Sequence, residues 1–243
     1  MSDPPPFAVT HVIFDVDGTV VDFEAALRGA LDATAEHISS LTGAPVTPAE
    51  LQAERDRVVA DRAGDGSSLV ELRAEALRRV LAARGVADPA AVDEATATFF
   101  RARNDSNRAF DDVEQTLATL SEAGFAILLA TNGNATLDGM PFMRHVPLVH
   151  RAEEVGLQKP DPAFFTTALE RAGGPEPRFA VSVGDRYEHD CAPAMLAGLH
   201  AIWLDRDGAG GQPGDGATGL GTAGVSIARI ESLAELPGLL TAP

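Results

Sequence analysis

Cysteine is nearly absent from this chain. Cys191 stands alone in 243 residues, so no intrachain disulfide can brace the fold. Tryptophan and tyrosine occur once each, which leaves the core to aliphatic residues and phenylalanine. Basic residues are scarce as well: 19 Lys and Arg face 36 Asp and Glu, a formal net charge of −17. Such a surface repels polyanions, which argues against a nucleic-acid polymer or an anionic membrane as partner. A small anionic substrate would need local positive charge, from a metal or a placed lysine. No apolar run approaches the roughly 20 residues of a membrane span. The opening Met1-Ser2-Asp3-Pro4-Pro5-Pro6 has neither the basic start nor the apolar stretch of a secretion signal. A soluble cytoplasmic protein is the expectation.

What is present begins at His11-Val12-Ile13-Phe14, a short apolar run that ends in Asp15-Val16-Asp17-Gly18-Thr19. The run reads as a buried strand of a parallel sheet. Carboxylates just past such a strand lie where open α/β sheets bind ligands. Two anions this close need a metal or a proton to offset their repulsion.

Residues 24 to about 104 contain no convincing strand and break into helices with readable punctuation. Thr47-Pro48-Ala49-Glu50 is a capping box with proline at the first helical position, and Ser68 with Glu71 repeats the spacing. Asp88-Pro89 opens a further helix. Arg55, Arg62 and Arg73 on these helices read as solvated faces. Beyond the helical block strands and helices alternate. Asp112 with Gln115 is expected to cap a helix stopped at Gly124. Phe125–Ala130 and Phe179–Val183 read as strands ending in Thr131-Asn132-Gly133 and Gly184-Asp185, and Leu148-Val149 as a short strand. A helix from Asp161-Pro162, another over Ala194–Leu199 and a strand at Ala201–Leu204 follow. Residues 208–224 are expected to be a loop. Their Gly219-Leu220-Gly221-Thr222-Ala223-Gly224 has the spacing of a dinucleotide fingerprint without the strand and helix that site needs. Ile227 to Leu240 is expected to form an amphipathic helix.

This pattern predicts an α/β fold, a Rossmann-like parallel sheet core flanked by helices, with an inserted all-helical cap domain. The expected boundaries are 8–22 and 106–243 for the core, 23–105 for the cap, and 1–7 for a disordered tail.

Four motifs in order carry a family resemblance. They are Phe14-Asp15-Val16-Asp17-Gly18-Thr19-Val20, Ala130-Thr131-Asn132-Gly133, Lys159-Pro160-Asp161-Pro162, and Val183-Gly184-Asp185 running to Asp190. Together they resemble the haloacid dehalogenase-like superfamily, in its phosphatase branch with a helical cap after the first motif. The resemblance implies a phosphatase for a small phosphorylated metabolite, with Mg²⁺ as cofactor. Asp15 would be the nucleophile that becomes an aspartyl-phosphate, a step a carboxylate performs without prior deprotonation. Asp17 would protonate the leaving group and then activate water, and its backbone carbonyl would touch the metal. Asp15 and Asp185 would complete the protein's ligands, since Mg²⁺ favours oxygen donors and keeps several waters. Asp190 would be either a ligand or, as favoured here, an acceptor behind the ligands. Thr131 and the Asn132 backbone would bind phosphate oxygens, and Lys159 would offset the charge of the nucleophile and the phosphoryl group.

Two further reactions share parts of the pattern. A sugar phosphomutase of the β-phosphoglucomutase type keeps all four motifs. A haloacid dehalogenase uses the same nucleophile on carbon but normally lacks the second aspartate. The segment Asn134 to Val146 departs from the family, because Gly139, Pro141 and Pro147 interrupt the helix usual after the second motif. The sequence leaves the oligomeric state open.

Overall fold

In the computed structural model, residues 7–208 and 224–243 are described. The Gly219–Gly224 fingerprint lies outside them except for its last glycine. The chain divides into two compact units, Met1–Asp22 with Arg108–Pro243, and Phe23–Asn107.

The first unit holds a parallel sheet. Its strands are β2 (His11–Phe14), β3 (Ala126–Thr131), β4 (Leu148–Arg151), β5 (Ala180–Gly184), β6 (His200–Leu204) and β7 (Ile227–Ile230), in the order β4-β3-β2-β5-β6-β7. A minor pair joins β1 (Phe7–Ala8) to β8 (Leu240–Thr241). Side chains alternate across the sheet as the period of two requires. Val12, Phe14, Ile127 and Leu129 pack in one cluster with Val113, Leu117 and Leu120 of α5 (Val113–Glu122). Ile13, Leu128 and Ala130 pack on the other face with Phe164, Phe165 and Ala168 of α7 (Pro162–Arg171). With both faces covered, the central strands are predominantly apolar, and every β5 residue, Ser182 included, is buried. A buried Phe such as Phe164 contributes about 1.5–3 kcal/mol.

Register positions the chemistry. Phe14 pairs with Leu129 on one side and Val183 on the other. Asp15, Thr131 and Asp185 follow these partners by one or two residues, so they emerge on one rim. From β2, the next strand in the chain lies to one side and β5 to the other. A crevice opens at such a reversal of strand order.

The second unit packs α1 (Phe23–Thr42), α2 (Pro48–Asp61), α3 (Leu69–Ala82) and α4 (Pro89–Asp105) around Leu31, Ile38, Leu51, Leu77, Leu81 and Phe99. Thr47 Oγ1 accepts from the Glu50 amide at 3.2 Å, and Ser68 with Glu71 forms a full capping box. Arg55 and Arg62 pair with Asp56 and Asp65 in partly exposed positions. Arg73 departs from its expected solvated place. It is buried on the same stripe of α3 as Ala76, Leu77 and Val80, 4.2 Å from the Phe99 ring centroid.

Several local expectations are corrected. Phe7, placed in a disordered tail, is buried and pairs with Leu240. Ile227–Ile230 is an edge strand. The spacing of Ile230, Leu233 and Leu236 resembles one helical stripe, but a short Leu233–Glu235 3₁₀ turn and α9 (Leu236–Leu239) supply the last two. The β-branched start of this segment completes the sheet beside β6, and propensity yields to that pairing. Asp112 makes no side-chain cap on α5, because its carboxylate is engaged elsewhere. Between Asn134 and Val146 the only helical turn is a 3₁₀ turn at Pro141–His145. After β4 comes the single turn α6 (Ala152–Val155). The helix expected over Ala194–Leu199 is present as α8 (Ala192–Leu196), which starts two residues earlier, ends three earlier and follows a π-turn at Tyr187–Cys191.

One buried group gives the core a pH dependence. His150 of β4 is fully buried, 4.5 Å from the Phe164 ring centroid and 3.1 Å from Arg171 through Nδ1. Burial first, and Arg171 second, push its pKa down to about 4. The unfolded chain therefore binds the extra proton over a window in which the folded chain does not. Stability from neutral His150 is present above the ordinary histidine pKa and is lost as pH falls from about 6.5 towards 4, by at most about 3 kcal/mol. Urea unfolding at pH 7 and pH 4.5 is expected to show this loss. His150→Leu should shrink the difference, and an unchanged difference would remove His150 as its source.

Candidate active site

Asp15 continues the central strand, with its amide donating to the Val183 carbonyl at 2.9 Å. The chain then turns sharply: the Val20 and Val21 amides both donate to the Val16 carbonyl, and the Gly18 amide to Val21. Gly18 has φ +91°, and a Cβ there would stand 2.5 Å from Asp185 Oδ2. Only glycine combines that backbone with so close an approach. Gly133 serves similarly, since a Cβ on it would collide with Asp17 Oδ2. The first motif therefore meets the second through Asp17 and the fourth through Asp185.

Lys159 enters from the loop before α7, and the peptide that follows it, Lys159–Pro160, is cis. Its buried ammonium bonds Asp15 Oδ1 and, at 2.7 Å, Asp190 Oδ1. Asp190 Oδ2 accepts from the Arg186 amide at 3.0 Å. Asn132 locks the lysine loop: its Nδ2 donates to the Lys159 carbonyl and its Oδ1 accepts from the Lys159 amide, both at 2.8 Å. Thr131 is buried and its hydroxyl accepts from the Gly133 amide at 2.8 Å, which leaves the hydroxyl proton to donate. Thr19 Oγ1 lies 3.3 Å from Asp185 Oδ1 and accepts from the Asp185 amide at 3.1 Å.

The charges do not balance. Ligand atoms of Asp15, Asp185 and Asp190 all lie within 4.8 Å of one another, against the single ammonium of Lys159. Burial pushes the Asp15 carboxyl up to about 8, with Lys159 pulling it back and Asp190 and Asp185 adding to the rise. Burial, and then Asp190, push Asp185 up to about 6. Burial alone would lower Lys159, but Asp15 and Asp190 hold it charged, above the usual lysine range. A surplus of buried carboxylate oxygens with one cation nearby suits a hard divalent ion.

Residues 9–198 match the profile of the haloacid dehalogenase-like hydrolases. The chain belongs to that family. Among relatives of this hydrolase, a phosphoglycolate phosphatase of Agrobacterium fabrum is 30% identical over 78% of each chain. A phosphoserine phosphatase of Thermus thermophilus is 37% identical, and the match spans 49% of each protein's length. A solved 2-haloacid dehalogenase of Pseudomonas syringae superposes with a TM-score of 0.75 at 29% identity, covering 95% of this chain and 97% of the other.

The hydrolase brings Asp15, Asp17, Thr131, Asn132, Lys159, Asp185 and Asp190 together on one rim of its sheet unit. Cys191 is buried, and burial pushes its thiol up, which suits packing and not nucleophilic attack. Sequence reasoning missed the side-chain role of Asn132, because the partner lies 27 residues away in a loop. It also passed over Thr19, whose only signal was its place after Gly18.

Proposed function

We propose that this hydrolase is a Mg²⁺-dependent phosphatase that acts on a small phosphorylated metabolite through an aspartyl-phosphate on Asp15. The observation that carries the reading is the pairing of Asp15, at the end of the central strand, with the buried Lys159 ammonium. Asp17 stands two residues on, against Gly133 of the phosphate-binding motif. Phosphatases among the relatives support it.

Asp15 attacks phosphorus and the bond to the ester oxygen breaks. Asp17, protonated, gives its proton to the leaving alkoxide. As a carboxylate it then takes a proton from the water that attacks the aspartyl-phosphate, which releases phosphate and regenerates Asp15. Lys159, the Thr131 hydroxyl and the Asn132 backbone N–H hold the phosphoryl oxygens, whose charge they offset. Asp15, Asp185 and the Asp17 carbonyl would hold Mg²⁺, which supplies further charge neutralisation at the phosphoryl group. Both Asp190 oxygens are already engaged, by Lys159 and the Arg186 amide, which favours an anchoring role for Asp190 over direct ligation.

The dehalogenase relative gives a second reading, carbon–halogen cleavage at the same Asp15. Asp17 weighs against it, because an alkyl halide releases an anion that needs no proton. The test is turnover of p-nitrophenyl phosphate with Mg²⁺ and after exhaustive chelation. Activity should vanish on chelation and return with Mg²⁺. Activity that persists without metal, or halide release from a 2-haloacid under those conditions, would overturn the phosphatase reading. A bisphosphate requirement, with phosphate retained on the product, would point to a mutase.

A further inference from the structure

Strand β6 ends without an acid or hydroxyl of the four motifs, yet its end reaches the Asp185 turn from two directions. Trp203 donates its Nε1–H to the Asp185 carbonyl at 2.9 Å. Arg206, two residues past the strand, donates from Nη2 to the Thr19 carbonyl at 2.8 Å. Thr19 is the residue whose hydroxyl bonds both the carboxylate and the amide of Asp185.

Arg206 is itself held firmly. Its Nη1 and Nη2 fork onto Asp112 at 2.9 and 3.0 Å, and its guanidinium lies 3.9 Å from the Phe110 ring centroid. Asp112 also accepts from Ser232 Oγ at 2.7 Å and from the Leu233 amide at 2.9 Å. A bidentate Arg–carboxylate pair with further donors on the carboxylate is a stiff platform. It explains why Asp112 sits at a helix start without capping it.

We propose that Arg206 and Trp203 are positioning residues for Asp185, and that they set the affinity of the site for a divalent cation. The inference rests on the reading of Asp185 as a metal ligand. Asp185 would otherwise be free to swing away from Asp15 and Asp190, since three carboxylates within 4.8 Å repel one another. Trp203 fixes the Asp185 backbone, and Arg206 fixes the Thr19 segment whose hydroxyl orients the carboxylate. Groups behind metal ligands typically change metal affinity by about 10–100-fold when removed.

The experiment measures binding of Mn²⁺ by its free-ion EPR signal and of Mg²⁺ by calorimetry, with no substrate present. Arg206→Ala and Trp203→Phe are expected to raise the metal dissociation constant about tenfold or more. Saturating Mg²⁺ should recover most of kcat, with the KM for p-nitrophenyl phosphate little changed. Arg206→Lys, which keeps the charge but not the fork, should fall between wild type and Arg206→Ala. Ser232→Ala removes a bond to Asp112 and leaves the link to Thr19 intact, so it should lower Tm without moving the metal constant. Trp203→Phe keeps an aromatic ring while it removes the N–H donor, and it decides the matter if Arg206→Ala does not fold. Asp185→Asn separates the two readings. If it leaves metal affinity unchanged, Asp185 is not a ligand. If it weakens binding while Arg206→Ala and Trp203→Phe stay within twofold of wild type, the positioning role is wrong and the metal site stands.

Discussion

Asp15→Asn is expected to lower kcat on p-nitrophenyl phosphate by about 10⁴-fold or more, since removal of a covalent nucleophile is among the largest single losses an enzyme shows. The asparagine keeps the shape of the side chain and still reaches Lys159, so the folded state should survive. What disappears is the oxygen that bonds to phosphorus. Acid-quenched wild-type protein should carry a phosphoryl adduct on the peptide containing Asp15, and the variant should carry none. Asp17→Asn provides the contrast. It keeps the nucleophile but not the proton carrier, and a loss of about 10²–10⁴-fold is expected. The loss should be smallest for p-nitrophenol, a leaving group that needs little protonation. Equal loss for all leaving groups would deny Asp17 its acid role, and an adduct that persists in Asp15→Asn would move the nucleophile elsewhere.

Lys159→Met should damage the metal-free protein more than any other single change at the site. The ammonium is buried and is bonded to both Asp15 and Asp190. Its removal leaves uncompensated buried carboxylates, a defect that costs about 3–5 kcal/mol. Attraction to the two aspartates raises the folded pKa of Lys159 above its ordinary value. The stabilisation is therefore present in full below the ordinary lysine pKa and is lost only as pH climbs through the folded value, in strong alkali. At neutral pH the whole effect should be visible. Thermal unfolding in EDTA should show a large fall in Tm, and Mg²⁺ should restore part of it by neutralising the same carboxylates. The loss of kcat should be about 10²–10³-fold even at saturating Mg²⁺. An unchanged Tm in EDTA would mean that the ion pairs contribute nothing to the fold.

Legibility in the sequence followed the range of the interactions. Strands β2, β3 and β5 were readable because burial on both faces makes them predominantly apolar. Their ends were readable because each apolar run stops at an acid or hydroxyl. Helix starts at Thr47 and Ser68 were readable because their caps close within four residues, as a full capping box at Ser68 and as the Thr47 hydroxyl accepting from the Glu50 amide. Bonds between distant segments were not. Asp112 looked like a cap because its partners, Arg206 and Ser232, lie 94 and 120 residues away. Arg73 looked solvated because arginine on a charged helix usually is, and only the packing of α2, α3 and α4 buries it. The β7 segment was misread because its apolar spacing fits both a helix and a strand, and the free edge of β6 settles the choice. In the same way, nothing in the local chemistry of Trp203 or Asn132 announces what their side chains hold.

The position of β2 in the sheet also bears on how the protein is made. Its two neighbours, β3 and β5, begin at Ala126 and Ala180, so the strand that carries Asp15 is synthesised long before anything can pair with it. Phe23–Asn107 is contiguous and rich in short-range helical contacts, whereas the sheet unit needs contacts of long sequence separation. During synthesis the helices can gather first, while an apolar His11–Phe14 segment waits with both edges bare. The aspartates, the glycine and the tight Val16–Val21 turn that follow it then have a second value, as a polar stop on a segment otherwise open to association with other nascent chains.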